Sequence, residues 1–193
     1  MIISTFELLV KPQLPKDLPP GIPAKTKQQI DRLRRNTIQG YFLTIANLSS
    51  VNVNLTLTFT VQLPAGTSLK DLVALFDTTG SAMGDDLPVI LEPVNGSTNK
   101  FTASARLMAQ GTGLFLIQPN ILKPDLLEDA TFEVRGYVEV SLADLPVGMG
   151  EVAILITPEH RGTFYEDLNG TGSARRDQIA YALPVPNGGL FKF

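Results

Sequence analysis

Val51-Asn52-Val53-Asn54-Leu55-Thr56-Leu57-Thr58-Phe59-Thr60-Val61-Gln62-Leu63 alternates apolar and polar residues without a break. Successive side chains of a β-strand point to opposite faces, so a period of two predicts a strand with one face on a core. At ~3.3 Å per residue the run would be about 43 Å long, which implies one long strand or one bent by a bulge. The same signal recurs on both sides of it. Ile38 to Ala46 reads as a strand, and Asn47 to Ser50 supplies the turn. Leu72 to Phe76 and Pro88 to Leu91 read as strands around the Gly/Asp-rich loop 77–86. Asn95-Gly96 is a hairpin signal before the alternating run Phe101 to Ala109. Leu114 to Ile117, Phe132 to Leu142, Val152 to Ile156, Gln178 to Leu183 and Leu190 to Phe193 complete the pattern.

About eight or nine strands, with turn signals between them and at most one short helix, predict an all-β protein. The expected architecture is an antiparallel β-sandwich of immunoglobulin-like or jelly-roll type. Two segments are expected: an extended, basic, Pro-rich N-terminal arm over residues 1–36 and the β-sandwich over 37–193. Five prolines lie between Pro12 and Pro23 and disfavour helix there. Thr26 with Gln29 three residues on forms a capping box, so one short helix is expected to follow.

Composition narrows the function classes. At 44% hydrophobic and 18% charged, the 193 residues hold enough apolar material for a full core. The chain has no Cys, which excludes a disulfide scaffold, a thiolate metal site and a cysteine nucleophile. Its single His excludes a multi-histidine metal centre. A net charge of −3 argues against a nucleic-acid partner. No apolar run approaches the ~18 residues of a spanning helix and no basic leader precedes an apolar segment, so no membrane partner and a cytoplasmic location are expected. No cofactor is expected.

Charge is divided unevenly along the chain. The first 40 residues hold seven basic and three acidic residues, a net of +4, against −7 for the remaining 153. Between Tyr41 and Leu69 there is no charge at all. Outward strand faces normally carry Lys or Glu as protection against unwanted pairing. A polar but uncharged row of Asn52, Asn54, Thr56, Thr58, Thr60 and Gln62 therefore predicts a covered face. The arm residues Arg32, Arg34 and Arg35 are the expected docking contacts. This reading predicts a non-enzymatic structural or interaction protein that self-associates, as a homo-oligomer or with another protein.

A second reading is a ligand-binding module for an anion, calcium or a glycan, sited in the loops of residues 158–177. There His160, Asp167, Asn169, Thr171, Arg175, Arg176 and Asp177 gather polar groups. Asp167, Asn169, Thr171 and Gly172 follow the opening of a calcium loop, but Gln178 stands where a bidentate Glu belongs and two arginines oppose a cation. The same glycines and arginines would suit an anion. A hydrolase using His160 as base with Glu166 or Asp167 is the minor enzymatic alternative. The carboxylates Asp77, Asp85 and Asp86 lack the Trp-rich platforms that sugar hydrolysis favours.

Overall fold

The computed structural model describes residues 1–14, 18–33, 35–80, 87–143, 151–165 and 176–193, except for the side chains of Arg32, Leu87 and Arg176. The strands are β1 (Ile2–Pro12), β2 (Asn36–Asn47), β3 (Val53–Gln62), β4 (Leu72–Asp77), the two-residue β5 (Leu87–Pro88) and β6 (Glu92–Pro93), and β7 (Lys100–Leu107). They continue with β8 (Thr112–Pro119), β9 (Phe132–Leu142), β10 (Ala153–Tyr165), β11 (Arg176–Ala182) and β12 (Leu190–Lys192). Helix α1 (Ala24–Leu33) precedes β2, and α2 (Pro124–Asp129) precedes β9. Among the described residues two helices stand where at most one was expected. Pro124 at the first position pre-sets the backbone of α2, and Ala130 ends it in the left-handed region at φ 45°.

All twelve strands join one antiparallel network in the order β5-β4-β8-β2-β1-β9-β3-β7-β6, with β10 on the other edge of β2. The sheet bends at a fork. Leu9 to Pro12 of β1 pair with Asn36 to Gln39 of β2, and then β8 replaces β1 along Tyr41 to Ala46. Released from β2, β1 pairs along its length with β9, Phe6 opposite Gly136. The sheet curls so that apolar faces from both sides of the fork meet. Phe59 of β3 stacks on Phe101 at 5.0 Å and reaches Phe115 of β8 at 5.7 Å, while Phe6 packs on Tyr41 at 5.1 Å. On the open side, Pro88 pairs with Leu75 of β4 and Glu92 with Thr102 of β7, so residues 87–93 strap the two ends of the sheet together.

The N-terminal segment departs from the expected arm. Ile3, Leu8 and Val10 are fully buried and Phe6 nearly so, making β1 an interior strand between β2 and β9. The Pro-rich part is an excursion whose ends are tied by the Gln13 N–H donating to the Arg35 carbonyl at 2.7 Å. Within it α1 is almost wholly exposed. Pro12 ends β1 where its missing N–H costs no internal bond, which is why a Pro-rich reading and an interior strand coexist in neighbouring residues.

Strand β10 also differs. The sequence predicts a strand over Val152 to Ile156, yet β10 runs on to Tyr165. Pro158 is tolerated inside it because its main chain faces the β11 side. There its carbonyl accepts from Leu183, just past the end of β11, and the missing N–H falls between β12 and β11. The strand expected over Pro88 to Leu91 is limited to Leu87–Pro88.

Candidate functional site

The extension of β10 moves His160 from a loop into the middle of a strand. It lies opposite Tyr41 of β2 and Tyr181 of β11 and is 6% exposed. Its position fills the fork. Where β1 parts from β2, the main chain of Glu7 loses its strand partner, and side chains take over. The Glu7 N–H donates to Nε2 of His160 at 3.0 Å, and Nε2 of Gln39 donates to the Glu7 carbonyl at 3.1 Å. On its other side, Nδ1 of His160 lies 2.9 Å from the Tyr181 hydroxyl, which donates to Oε1 of Gln39 at 3.4 Å. Burial pushes the imidazole below its usual range, opposed in part by the Glu7 carboxylate. Both ring nitrogens are thus engaged within the fold, and the sequence-predicted base is a structural tie between strands.

The outer face of the same strands carries a groove of about 500 Å³ around Gly40, Phe42, Gln118 and Arg161. The Arg161 guanidinium lies 4.6 Å above the Phe42 ring and is held by Glu159 at 2.9 Å. Gly40 leaves its floor open, since a Cβ there would come within 3.1 Å of Gln118 and Phe42. Next to the groove, β11 is exposed from Asp177 to Ala182. Its odd residues face β10, as Leu183 continues by donating to Pro158, so the main-chain groups of Gln178, Ala180 and Ala182 point away from the sheet. No described strand pairs with that edge. From Gln178 to Phe191 there is no charged residue, and the apolar Ile179 and Tyr181 are each 43% exposed.

The other predicted site residues fall as follows. Asn54, Thr56, Thr58, Thr60 and Gln62 lie on the outer face of β3, while Asn52 precedes the strand and its Oδ1 accepts from the Ala109 N–H. The face is not uncharged once the sheet forms. Arg106 lies opposite Asn54, Glu139 and Thr102 flank Thr58, Lys100 and Tyr137 flank Thr60, and Arg135 lies opposite Gln62. Neighbouring strands supply the charges that β3 lacks, which removes the inference that the face must be covered. The Thr60 hydroxyl is buried without a partner. Arg35 ion-pairs with Asp177 and so ties the start of β2 to β11. Arg34, Asp167, Asn169, Thr171 and Arg175 lie outside the described residues, as do Asp85 and Asp86, and so do the side chains of Arg32 and Arg176.

Asp77 accepts from the N–H groups of Thr79 and Gly80, which hold its carboxyl below the usual range as a turn contact. Among the described residues no three of His, Asp and Glu gather to hold a metal ion, and no helix is long and apolar enough to cross a membrane. The residues the sequence reading missed are Gln39, Tyr181 and the free edge of β11. The charge-free run from Gln178 was the available signal for the last of these.

No family model matches the chain, and no curated protein matches it. A solved structure described as "AvmM Catalyzes Macrocyclization in Alchivemycin A Biosynthesis" aligns over 94% of this chain and 88% of its own at 10% identity. Its TM-score of 0.19 is too low for the likeness to carry any argument about fold or function.

Proposed function

We propose that the protein is a non-enzymatic interaction module of β-sandwich type that assembles with further copies of itself by strand addition along β11. The observation that carries this reading is the charge-free edge at Gln178, Ala180 and Ala182, which no described strand pairs. An added strand would satisfy those main-chain groups and cover Ile179 and Tyr181. Strand addition at an edge replaces the earlier expectation of a covered β3 face, whose neighbours carry charge. The exposed basic helix α1 beside an acidic body is a second contact that charge would favour. A ligand-binding role stays with the groove beside Phe42, where Glu159 already neutralises Arg161 and so weakens its pull on an anion.

Light scattering over a wide concentration range tests the proposal. The wild type is expected to exceed the 20.9 kDa of a single chain, with mass rising on concentration. Ala180→Pro removes an N–H that faces away from β10, so it blocks an added strand without breaking a ladder bond inside the chain. It is expected to stay at 20.9 kDa, with Ala180→Lys giving the same result through edge charge. A wild type that remains a single chain at every concentration overturns the proposal.

A further inference from the structure

The four bonds at the fork form a closed circuit with one allowed direction. The Glu7 N–H has a proton only to give, so Nε2 of His160 must be the acceptor and carry none. The imidazole proton then sits on Nδ1 and is donated to the Tyr181 hydroxyl. That hydroxyl in turn donates to Oε1 of Gln39, and Nε2 of Gln39 donates to the Glu7 carbonyl. The circuit begins and ends on the two main-chain groups of one residue. Each member has its donor or acceptor role fixed by the one before it.

We propose that this circuit is a proton-operated latch: a second proton on His160 breaks the link to Glu7 and loosens the fork between β1 and β2. On protonation Nε2 becomes a donor facing the Glu7 N–H, itself a donor, and the bond between them is lost. The part-buried amide of Glu7 is left without its partner at the residue where β1 has already lost β2.

The surroundings fix the sense of the response. From β1, the Glu7 carboxylate faces this region and is engaged by Nε of Arg135 from β9 at 2.8 Å. From β2 come Tyr41, bonded to Ser4 at 2.6 Å and held protonated by burial, and the neutral Gln39. From β11 comes Tyr181, whose phenol burial also keeps protonated. On β10 itself Glu159 and Arg161 pair with each other at 2.9 Å; their places in the strand alternate with that of His160 and so put them on the opposite face. Among the described residues the Glu7 carboxylate is thus the charge that favours an imidazolium here. Burial outweighs it and places the transition below the ordinary histidine range. The latch is closed at neutral pH and opens only as pH falls below the ordinary histidine range. This does not depend on whether β11 recruits a second copy.

NMR on the full chain tests it. Imidazole nitrogen shifts are expected to show the neutral ring protonated on Nδ1. After correction for intrinsic exchange, protection of the Glu7 amide is expected to fall about tenfold as His160 takes its second proton, the loss of one part-buried hydrogen bond. The Leu57 amide in β3 serves as an unchanged reference. Tyr181→Phe keeps the titrating ring but opens the circuit, and is expected to lower Glu7 protection at neutral pH. His160→Gln is expected to remove the pH step. Should that variant not fold, the wild-type tautomer and titration decide alone. A neutral ring protonated on Nε2, or Glu7 protection that ignores the titration, overturns the proposal.

Discussion

Gly136→Ala is expected to destabilise the protein by about 2–3.5 kcal/mol, and the cause is local. Gly136 sits in β9 between Phe6 of β1 and Val61 of β3, and a Cβ built on it would lie 2.3 Å from the Thr60 carbonyl oxygen. It would also lie 3.0 Å from the Phe6 ring and 3.1 Å from Val61. The closest of these is main chain in an interior ladder, so relief requires β3 and β9 to move apart by about 1 Å rather than a side chain to turn. Overpacking costs typically 1–3 kcal/mol and more where the neighbour cannot yield, so about 3–4 kcal/mol is the local cost. The lower unfolded-state entropy of Ala offsets about 0.4–1 kcal/mol of it. For a chain of this size 1 kcal/mol moves the midpoint about 2–4 °C, so thermal unfolding followed by circular dichroism should show a drop of roughly 5–10 °C. Gly162→Ala is the internal control, because its nearest neighbour would be at 3.4 Å, an ordinary contact. A Gly136→Ala midpoint within 1 °C of wild type would refute the close packing of β9 against the Thr60 main chain of β3, and with it the register that sets Gly136 opposite Val61.

Two further expectations follow from other parts of the molecule. Because the Gln13 N–H bonds the Arg35 carbonyl, replacing residues 14–34 with an Asn-Gly turn should keep the fold and shift the midpoint by less than about 2 °C, whereas deleting residues 1–12 should abolish cooperative unfolding. Asp71 is buried, which works to raise its pKa, but Lys123 at 2.5 Å and the Ser68 N–H at 2.7 Å outweigh burial and hold the carboxyl below its usual 3.8. A lowered carboxylate pKa gives stability that is complete above the unfolded value and lost as pH falls through the folded one. Lys123→Ala should therefore cost about 1–3 kcal/mol in urea unfolding at pH 7, and the difference from wild type should shrink below pH 4.

Most of the sheet was legible because its interior strands obey a strict period of two. β3, β7 and β9 place Leu55, Leu57, Phe59, Ala103, Ala105, Val138 and Val140 inward as the alternation requires. Asn95-Gly96 marked a turn correctly, with Gly96 at φ 77°. What failed was inference from neighbours in sequence to neighbours in space. The prolines after Lys11 coloured the reading of residues 1–12, although Ile3, Phe6, Leu8 and Val10 are core. Pro158 and the charged run Glu159 to Arg161 read as a loop. In place, the proline faces a gap between edge strands, and Glu159 and Arg161 lie outside while His160 lies inside. A single strand also cannot show what lies beside it, which is why the face of β3 looked bare until Arg106, Glu139 and Lys100 were set next to it. The fork contacts were invisible for the same reason. Gln39 and Tyr181 are 142 residues apart and carry no motif.

The pairing of β1 with β9 also governs how the chain can be made. Phe6 meets Gly136 and Tyr41 meets His160, so the first two strands, though they pair briefly with each other, emerge from a ribosome long before β9 and β10 exist. At 5–20 residues per second, β1 waits roughly 6–26 s for β9. During that time its apolar side chains and one whole edge of β2 are open to any other strand in reach. Chaperone supply and growth temperature should therefore govern the soluble yield of this protein more strongly than its final stability does.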